Sequence, residues 1–429
     1  MNFPYFIAKK VSFSGKKNFS RLIIRIAIVA IALSMTVMIA TTSLIHGFKD
    51  EVSTKIFGFW GHIHINDQNI IRSFENKAIN INQSFYPSLG ELGPIGYNDT
   101  HSAYSFQNPT KETKGGISHI QRYGLKEGIL ETKEDIEGII LKGIWEDYNW
   151  DFLEQYMVEG RVIEFPKDAM SKDILISNST ANRLFLKVGD KISVLFVNNN
   201  QEVKRRMNIC GIYKTGLEEY DKRFALVDLR QVQRLLGWSE EEVGGFEVFI
   251  ENIDDLDVFY YYLNEEVLPI KLYAETIRFK FPGIFEWLKL HTINEVVIII
   301  LMIIVSIINM VTALMILILE RTTMIGVLKA VGEQDWGIRT IFLYYAAYII
   351  GLGMLWGNFI GISLCLLQKK FGFIRLSEED YYMSTAPIAL DLSTVLYLNI
   401  GTMVITLIFL IIPSYLVTTV QPVKALRFK

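Results

Sequence analysis

The sequence predicts an α-helical membrane domain of four transmembrane helices, with a large α+β extracytoplasmic domain inserted between helices 1 and 2. Three observations lead there. Residues 26–45, 293–319, 341–367 and 396–417 are long, almost uncharged apolar runs. At 1.5 Å rise per residue, about 20 such residues cross a hydrocarbon core of roughly 30 Å. The stretch from Gly47 to about Leu290 reads instead as ordinary soluble protein, long enough to bury its own core. Finally, the chain of 429 residues is half apolar with a net charge of -3 and a mean hydropathy of +0.26, an average over two unlike populations.

Taken in order, the elements are an amphipathic segment over 1–25, helix 1 over 26–46 and the outer domain with its stalks over 47–290. Helix 2 comes next over 291–319, then a cytoplasmic loop over 320–340, helix 3 over 341–367, a short outer loop over 368–395, helix 4 over 396–417 and a tail over 418–429. Lys9, Lys10, Lys16, Lys17, Arg21 and Arg25 precede helix 1 without an acidic residue, which places this end in the cytoplasm. Four spans return the tail to the same side, in agreement with Lys424, Arg427 and Lys429. Lys369, Lys370 and Arg375 in the outer loop run against the rule, offset in net charge by Glu378, Glu379 and Asp380. Phe3, Phe6, Ile7, Val11 and Phe13 mix with lysines, as in a helix lying in the headgroup layer. The first apolar run is too long for a signal peptide and lacks a small-x-small cleavage site, so it reads as a retained helix.

Phe48, Val52, Ile56 and Phe59 keep helical spacing beyond helix 1, a stalk that Gly58 and Gly61 are expected to end. Phe281 to Leu290 is a matching approach to helix 2, begun at Pro282 and Gly283. Between them, His62–Ile65, Gly138–Ile144, Asp173–Ile176, Lys191–Phe196, Met207–Tyr213, Phe224–Val227 and Phe246–Ile250 have the β-branched, turn-bounded look of strands. Asp147–Tyr156, Ser179–Leu186, Leu229–Leu236 and Asp254–Val267 look helical, and Val188-Gly189-Asp190 reads as a turn.

Catalytic chemistry is hard to find. No GxxxxGK[ST], HExxH, GxSxG or paired-cysteine zinc spacing occurs. The near-neutral balance and the lack of a basic stripe argue against nucleic acid. Cys210 and Cys365 fall in different compartments, so a disulfide between them is not expected. His62 and His64 share a strand face and form a possible metal pair, but with no third ligand in view they read as a polar strand face. Glu240 to Glu242 read as a solvated helix start, and Glu218, Glu219 and Asp221 as loop residues. No catalytic and no metal residue is assigned.

The apolar runs say more. Gly353, Gly357 and Gly361 recur every four residues, a helix face along which two backbones can approach closely. Asn309 and Asn358 are costly in hydrocarbon unless paired, and read as interhelical hydrogen bonds. In the cytoplasmic loop, Gly326 and Gly332 bracket Ile325-Gly326-Val327-Leu328-Lys329-Ala330-Val331-Gly332, a short amphipathic helix that has no bilayer to span and needs a partner surface.

At these residues the chain resembles the FtsX/macrolide-exporter type of permease. Ile307 to Gly332, IINMVTALMILILERTTMIGVLKAVG, is similar to that family's asparagine-containing span, charged pair and (I/L)-(A/G)-(I/V)-L-(R/K)-(A/T)-(V/M)-G helix. Ile412-Pro413 and Pro422-Val423-Lys424-Ala425-Leu426-Arg427 resemble its usual ending. Tyr5-Phe6-Ile7-Ala8, His46-Gly47-Phe48-Lys49, Gly138 to Ile144, and Gly211 to Gly216 followed by Glu219-Tyr220-Asp221 resemble the lipoprotein-releasing branch. Nearly the whole chain is covered.

The resemblance implies a permease subunit of a type VII ABC transporter in the cell inner membrane, with the large domain periplasmic and both termini cytoplasmic. It implies a cytoplasmic ABC ATPase dimer that binds the ATP, so that this chain carries no cofactor and is not an enzyme. It also implies a second permease subunit, identical or not, a lipoprotein cargo taken from the outer leaflet, and a periplasmic carrier. Glu320, Arg321, Ile325, Gly326, Leu328, Lys329, Val331 and Gly332 would form the helix that couples to the ATPase. Met38, Leu44 and Phe48, facing Val296 and Ile300, are candidate contacts for acyl chains or membrane lipids, with ordinary helix packing as the alternative for each. The branch's proline-containing carrier hook has no counterpart in Val197 to Arg205, which fits either the hookless partner or a simpler homodimeric system. Mechanotransmission for efflux of toxins or drugs, regulation of a cell-wall hydrolase and a membrane-anchored receptor are the competing functions.

Overall fold

The computed structural model describes residues 18–68, 77–98, 110–132, 135–167, 169–198 and 201–419. The amphipathic segment up to residue 17, Tyr5 to Ala8 and the closing Pro422 to Arg427 lie outside them. The chain divides into two compact units. One comprises 1–51, 286–375 and 385–429, and the other 52–285 and 376–384.

The first unit is built from α1 (Asn18–Trp60), α2 (Pro282–Glu320), α3 (Thr322–Ala330), α4 (Asp335–Phe371) and α5 (Leu392–Ser414). All but α3 are long and apolar enough to cross a membrane by length and composition. Local chemistry sets the start of α5 and the end of α4. The Asp391 side chain accepts the amides of Ser393 and Thr394 at the start of α5. Gly372, at φ +56, closes α4 with its amide on Gln368 O at 2.8 Å. Helix α1 is unbroken for 43 residues, and its residues 52–60 belong to the second unit. Gly58 does not end it as expected; Gly61, at φ +73, does.

The second unit holds a ten-stranded sheet: β1 (Ile63–Asp67), β2 (Ile117–Glu131), β3 (Ile136–Ile144), β4 (Met157–Gly160), β5 (Asp173–Ser177), β6 (Lys191–Asn198), β7 (Gln201–Tyr213), β8 (Phe224–Asp228), β9 (Gly245–Ile250) and β10 (Leu272–Thr276). The order is β10-β1-β9-β2-β3-β8-β5-β7-β4, with β6 pairing both β7 and β2. Strands β2, β3, β8, β5, β7 and β6 therefore close into a ring. Closure spares these six strands the free edges an open sheet would present, while β10 and β4 each pair with one strand. The long β2 belongs to both parts: Ile117 to Tyr123 pair with β9, and Gly124 to Glu131 with β3. Ile139, Leu141, Ile174, Ile176, Val194, Phe196, Ile209 and Val227 form part of one buried apolar cluster.

Several expectations need correction. Helix 147–156 shrinks to Asp151–Glu154, because Asp147 anchors the chain to the sheet. Its Oδ2 accepts from Arg122 Nε at 2.9 Å and from the Tyr86 hydroxyl at 2.9 Å. Glu240 to Glu242 do not start a helix. They turn into a short strand paired with Ile79–Asn80, and Glu242 accepts from the Ser239 amide at 2.7 Å. Glu218 to Asp221 form one helical turn rather than a loop, with Asp221 buried.

Candidate functional site

Helix α3 has two unlike sides. Ile325 and Gly326 are buried, and Met324 and Leu328 pack beside Ile318, Ile338 and Phe342. Thr323, Val327, Ala330 and Val331 are spaced by four, three and one residues along a single helical stripe that faces away from this packing. Val327 is 47% exposed and Val331 83%. Gly332, at φ +98, ends the helix, with Glu333 N donating to Leu328 O at 3.0 Å.

Expected outward residues thus divide. Val331 faces solvent, but Leu328 turns inward. Lys329 is also drawn in, its side chain only 12% exposed, pairing with Asp335 at 2.8 Å and donating to Thr418 O at 3.2 Å. Arg339 adds a second brace: Nε donates to Ser414 Oγ at 3.1 Å, and the guanidinium lies 3.8 Å from the Tyr415 ring centroid. Glu320 is exposed at the end of α2, and Arg321, with φ -104 and ψ 16, makes the bend into α3. Val327 was missed because both sides of this helix are apolar in sequence.

The three glycines of α4 lie against α1. A Cβ at Gly353 would come 2.7 Å from Ile31 Cβ, at Gly357 2.6 Å from Met35 Cβ, and at Gly361 3.3 Å from Ile39 Cβ. Thr36 Oγ1 donates to Gly357 O at 3.2 Å across the same seam. Asn358 pairs reciprocally with Asn399 of α5 at 2.7 and 2.9 Å. Asn309 does not bridge helices as expected; its amide donates to Val305 O of its own helix at 2.9 Å.

The candidate acyl contacts also separate. Met38 is fully buried beside Met35 and Ile39, with Ile299, Met302 and Ile303 of α2 against that cluster. Phe48 is buried, its ring centroid 5.2 Å from those of Trp287 and His291. Leu44 is half-buried. Val296 and Ile300 are 50% and 51% exposed, unlike Met38 and Phe48. Sequence reading overlooked Glu295, a buried carboxyl 3.4 Å from His46, and the Pro387–Ala389 backbone that a Cβ at Gly47 would strike at 2.7 Å. His46-Gly47-Phe48 is thus a run of three packing residues.

In the outer domain, the end of α1 meets a buried charged cluster. Lys142 Nζ lies 2.8 Å from Glu247 Oε1, donates to Phe59 O at 2.5 Å, and sits 4.9 Å from the ring centroids of both Phe59 and Trp60. Gln121 donates to Glu247 Oε2 at 2.7 Å. Burial pushes the Glu247 carboxyl up and the Lys142 ammonium down, and their mutual attraction opposes both shifts. His64 Nε2 is 2.6 Å from Trp60 O, while Nδ1 is 3.0 Å from Lys280 Nζ. That arrangement suits a neutral ring donating to Trp60 and accepting from Lys280. Burial, with Lys280 and Lys142 nearby, holds His64 well below the ordinary histidine range, and burial brings Lys280 down to about 8.

His62 stacks on Phe57 at 4.7 Å and accepts from the Ile250 amide at 3.2 Å. The two histidines therefore do not form a solvated polar face. Among the described residues no group of three His, Cys, Asp or Glu could hold a metal ion. Cys210 and Cys365 are both free and buried, and burial pushes the Cys210 thiol up to about 12.

Two family profiles match the chain: a MacB-like periplasmic core domain over residues 26–258 and an FtsX-like permease C-terminal domain over residues 296–422. The lipoprotein-releasing system transmembrane protein LolC of Neisseria meningitidis is 21% identical, covering 99% of this chain and 97% of its own length. The corresponding LolE of Haemophilus influenzae is 22% identical, with 99% of each chain covered. The extracellular domain of the noncanonic ABC-type transporter YknZ from Gram-positive bacteria aligns with 43% of this chain and 98% of its own, at 16% identity and a TM-score of 0.28, too low to carry a fold argument. One profile spans more than half of the residues and the other covers most of the C-terminal remainder, so the chain belongs to the FtsX-like ABC permeases that carry a MacB-like periplasmic core domain.

Proposed function

We propose that this chain is a permease subunit of an ABC transporter that extracts lipoproteins from the outer leaflet of the inner membrane and releases them toward the outer membrane. The observation that carries the reading is the Thr323–Val327–Ala330–Val331 stripe of α3, an outward face on a helix tied by Lys329 to Asp335 and to Thr418 O, beside the Arg339–Ser414 link between α4 and α5. A separate ATPase docking on that stripe would hydrolyse ATP and push the braced α3–α4–α5 end as a unit. The full-length likeness to LolC and LolE supports lipoproteins as cargo. ATP is needed because each acyl CH₂ withdrawn from the bilayer costs about 0.8 kcal/mol.

The subunit pairs with a second permease, has both termini in the cytoplasm and its large domain in the periplasm. Val296 and Ile300 remain as candidate contacts for acyl chains or lipid. Asn198 pairs with Gln201, which leaves two residues of chain between β6 and β7 where the branch's hook would stand. A carrier contact through a hook then belongs to another subunit. Depletion of the protein followed by fractionation of acylated lipoproteins tests the reading: they should accumulate in the inner membrane, and normal arrival at the outer membrane would refute it. The MacB-like core domain favours a second reading, mechanotransmission for toxin or drug efflux. In that case depletion would raise drug sensitivity and leave lipoprotein location unchanged.

A further inference from the structure

Residues 376–384 lie after α2, α3 and α4 in the chain, yet they pack as part of the outer domain. The chain leaves and returns through a short antiparallel ladder. Arg375 and Thr385 are bridged, Leu376 N donates to Ser384 O at 3.0 Å, and Ala386 N donates to Ile374 O at 3.0 Å. The loop's two ends are therefore pinned together. Its tip closes on itself, with the amides of Tyr381 and Tyr382 donating to Ser377 O and Glu378 O at 3.0 Å. Tyr382 sits at φ +61, a backbone region that side-chain-bearing residues rarely adopt.

Three groups hold that tip. Lys55 of α1, buried, donates from Nζ to Tyr382 O at 2.9 Å. Gly216, at φ +82, approaches the same oxygen so closely that a Cβ there would lie 2.8 Å from it. Lys214 pairs with Glu378 at 2.5 Å. The Gly216 turn is itself fixed by Asp221, whose carboxylate accepts from Thr215 Oγ1 at 2.6 Å and from Gly216 N at 3.1 Å. A buried ammonium is tolerated only with partners, and the Tyr382 carbonyl and the nearby Asp221 carboxylate supply them.

We propose that Lys55, with the Thr215–Gly216–Asp221 turn, is a positioning site that clamps the 376–384 loop, making that loop a third coupling element beside α1 and α2. This rests on the transport reading above and extends it. With α1 and α2 as the only connections, the ends of α4 and α5 could move without the outer domain. The clamp removes that freedom, so a displacement of the α4–α5 connection either carries the domain or breaks the clamp. It also accounts for Thr215, Gly216 and Asp221 of the motif from Gly211 to Asp221: glycine for the positive φ and close approach, threonine and aspartate to hold the turn.

The test is amide hydrogen exchange over 376–384 in the full chain, reconstituted with its ATPase in nanodiscs, alongside ATP hydrolysis and lipoprotein release. Lys55→Met and Gly216→Ala break the clamp independently, and Lys55→Arg keeps a charged donor. Both breaking variants are expected to raise exchange over 376–384 about tenfold, Lys55→Met through the loss of one charged hydrogen bond and Gly216→Ala because its Cβ would lie 2.8 Å from the Tyr382 carbonyl oxygen. Exchange over 117–131 should stay at wild-type level, which reports an intact fold. Hydrolysis should persist while release falls, and Lys55→Arg should return exchange over 376–384 and release to wild-type levels. Unchanged exchange over 376–384 in both variants would overturn the clamp. Raised exchange with full release would overturn its positioning role. A wild-type complex that releases no lipoprotein would instead sink the transport reading, with the exchange readout still deciding the clamp.

Discussion

Along α4 the closest contacts are made by residues with no side chain, whereas the interior of the outer domain encloses a lysine, a glutamate and a histidine. At Gly353 and Gly357 two helix backbones meet with no room for a methyl group. Lys142, Glu247 and His64 are wholly buried; Lys142 and His64 hold the end of α1 through the Phe59 and Trp60 carbonyls, and Glu247 pairs with Lys142. Apolar helices gain nothing from hydrophobic burial against each other in lipid, so shape and a few amide pairs decide their association. A water-surrounded domain buries its apolar surface anyway, and its charged cluster then holds the end of α1, which Gly61 terminates, in place. The helical unit should therefore respond to volume, and the outer domain to charge and pH.

The largest effect is expected at the charged cluster. Lys142→Met leaves Glu247 buried without its cation and should cost about 3–5 kcal/mol of outer-domain stability, read by denaturant-dependent exchange over β2 and β9. Combining it with Glu247→Leu should recover much of that loss. A double variant as unstable as the single one would mean the pair is not the source.

Acid should act next. His62 is brought down to about 4 by burial, and by Arg278 nearby, from an ordinary value of 6.5. Its folded state binds fewer protons, so its contribution is complete above about pH 6.5 and is lost as pH falls toward 4, about 3 kcal/mol in all. Asp221 works the other way in the same window. Burial raises it to about 6, so its proton favours the fold as pH drops, while Thr215, Gly216 and the Lys55 ammonium oppose that rise. Thermal unfolding of Asp221→Asn should therefore show a steeper acid decline than wild type between pH 6.5 and 4. An identical profile would remove Asp221 from the balance.

A smaller, pH-independent effect belongs to the helices. Gly357→Ala must displace Met35 or Ala32 and should cost about 1–3 kcal/mol, seen as a lower melting temperature in detergent. Gly351→Ala, where the added methyl meets nothing within 4 Å, should be neutral. Equal effects at both positions would erase the distinction between the two regions.

Legibility in the sequence divides the same way. The four long helices and the α4 glycine face show in hydropathy and spacing, because both are periodic along one element. Asn358 showed as a polar residue needing a partner, but Asn399 could not be named, since pairing across helices leaves no local signal. Strand β2 escaped notice because its 15 residues mix Gln121, Arg122, Lys126 and Glu127 with two glycines, and its buried polar residues are satisfied by distant parts of the chain. Lys142 stood inside a motif noticed only as a resemblance; its role needs Glu247 and Phe59, each far from it along the chain. On α3 both faces are apolar, so only packing tells Leu328 from Val327.

The most direct test of the transport account is Val327→Asp combined with Val331→Asp, in the permease reconstituted with its ATPase and an acylated lipoprotein in nanodiscs. Loss of lipoprotein-dependent ATP hydrolysis and of release is expected, with membrane insertion intact and Leu328→Asp differing by destabilising the helices themselves. Full stimulation and release from the Val327→Asp, Val331→Asp double variant would contradict it.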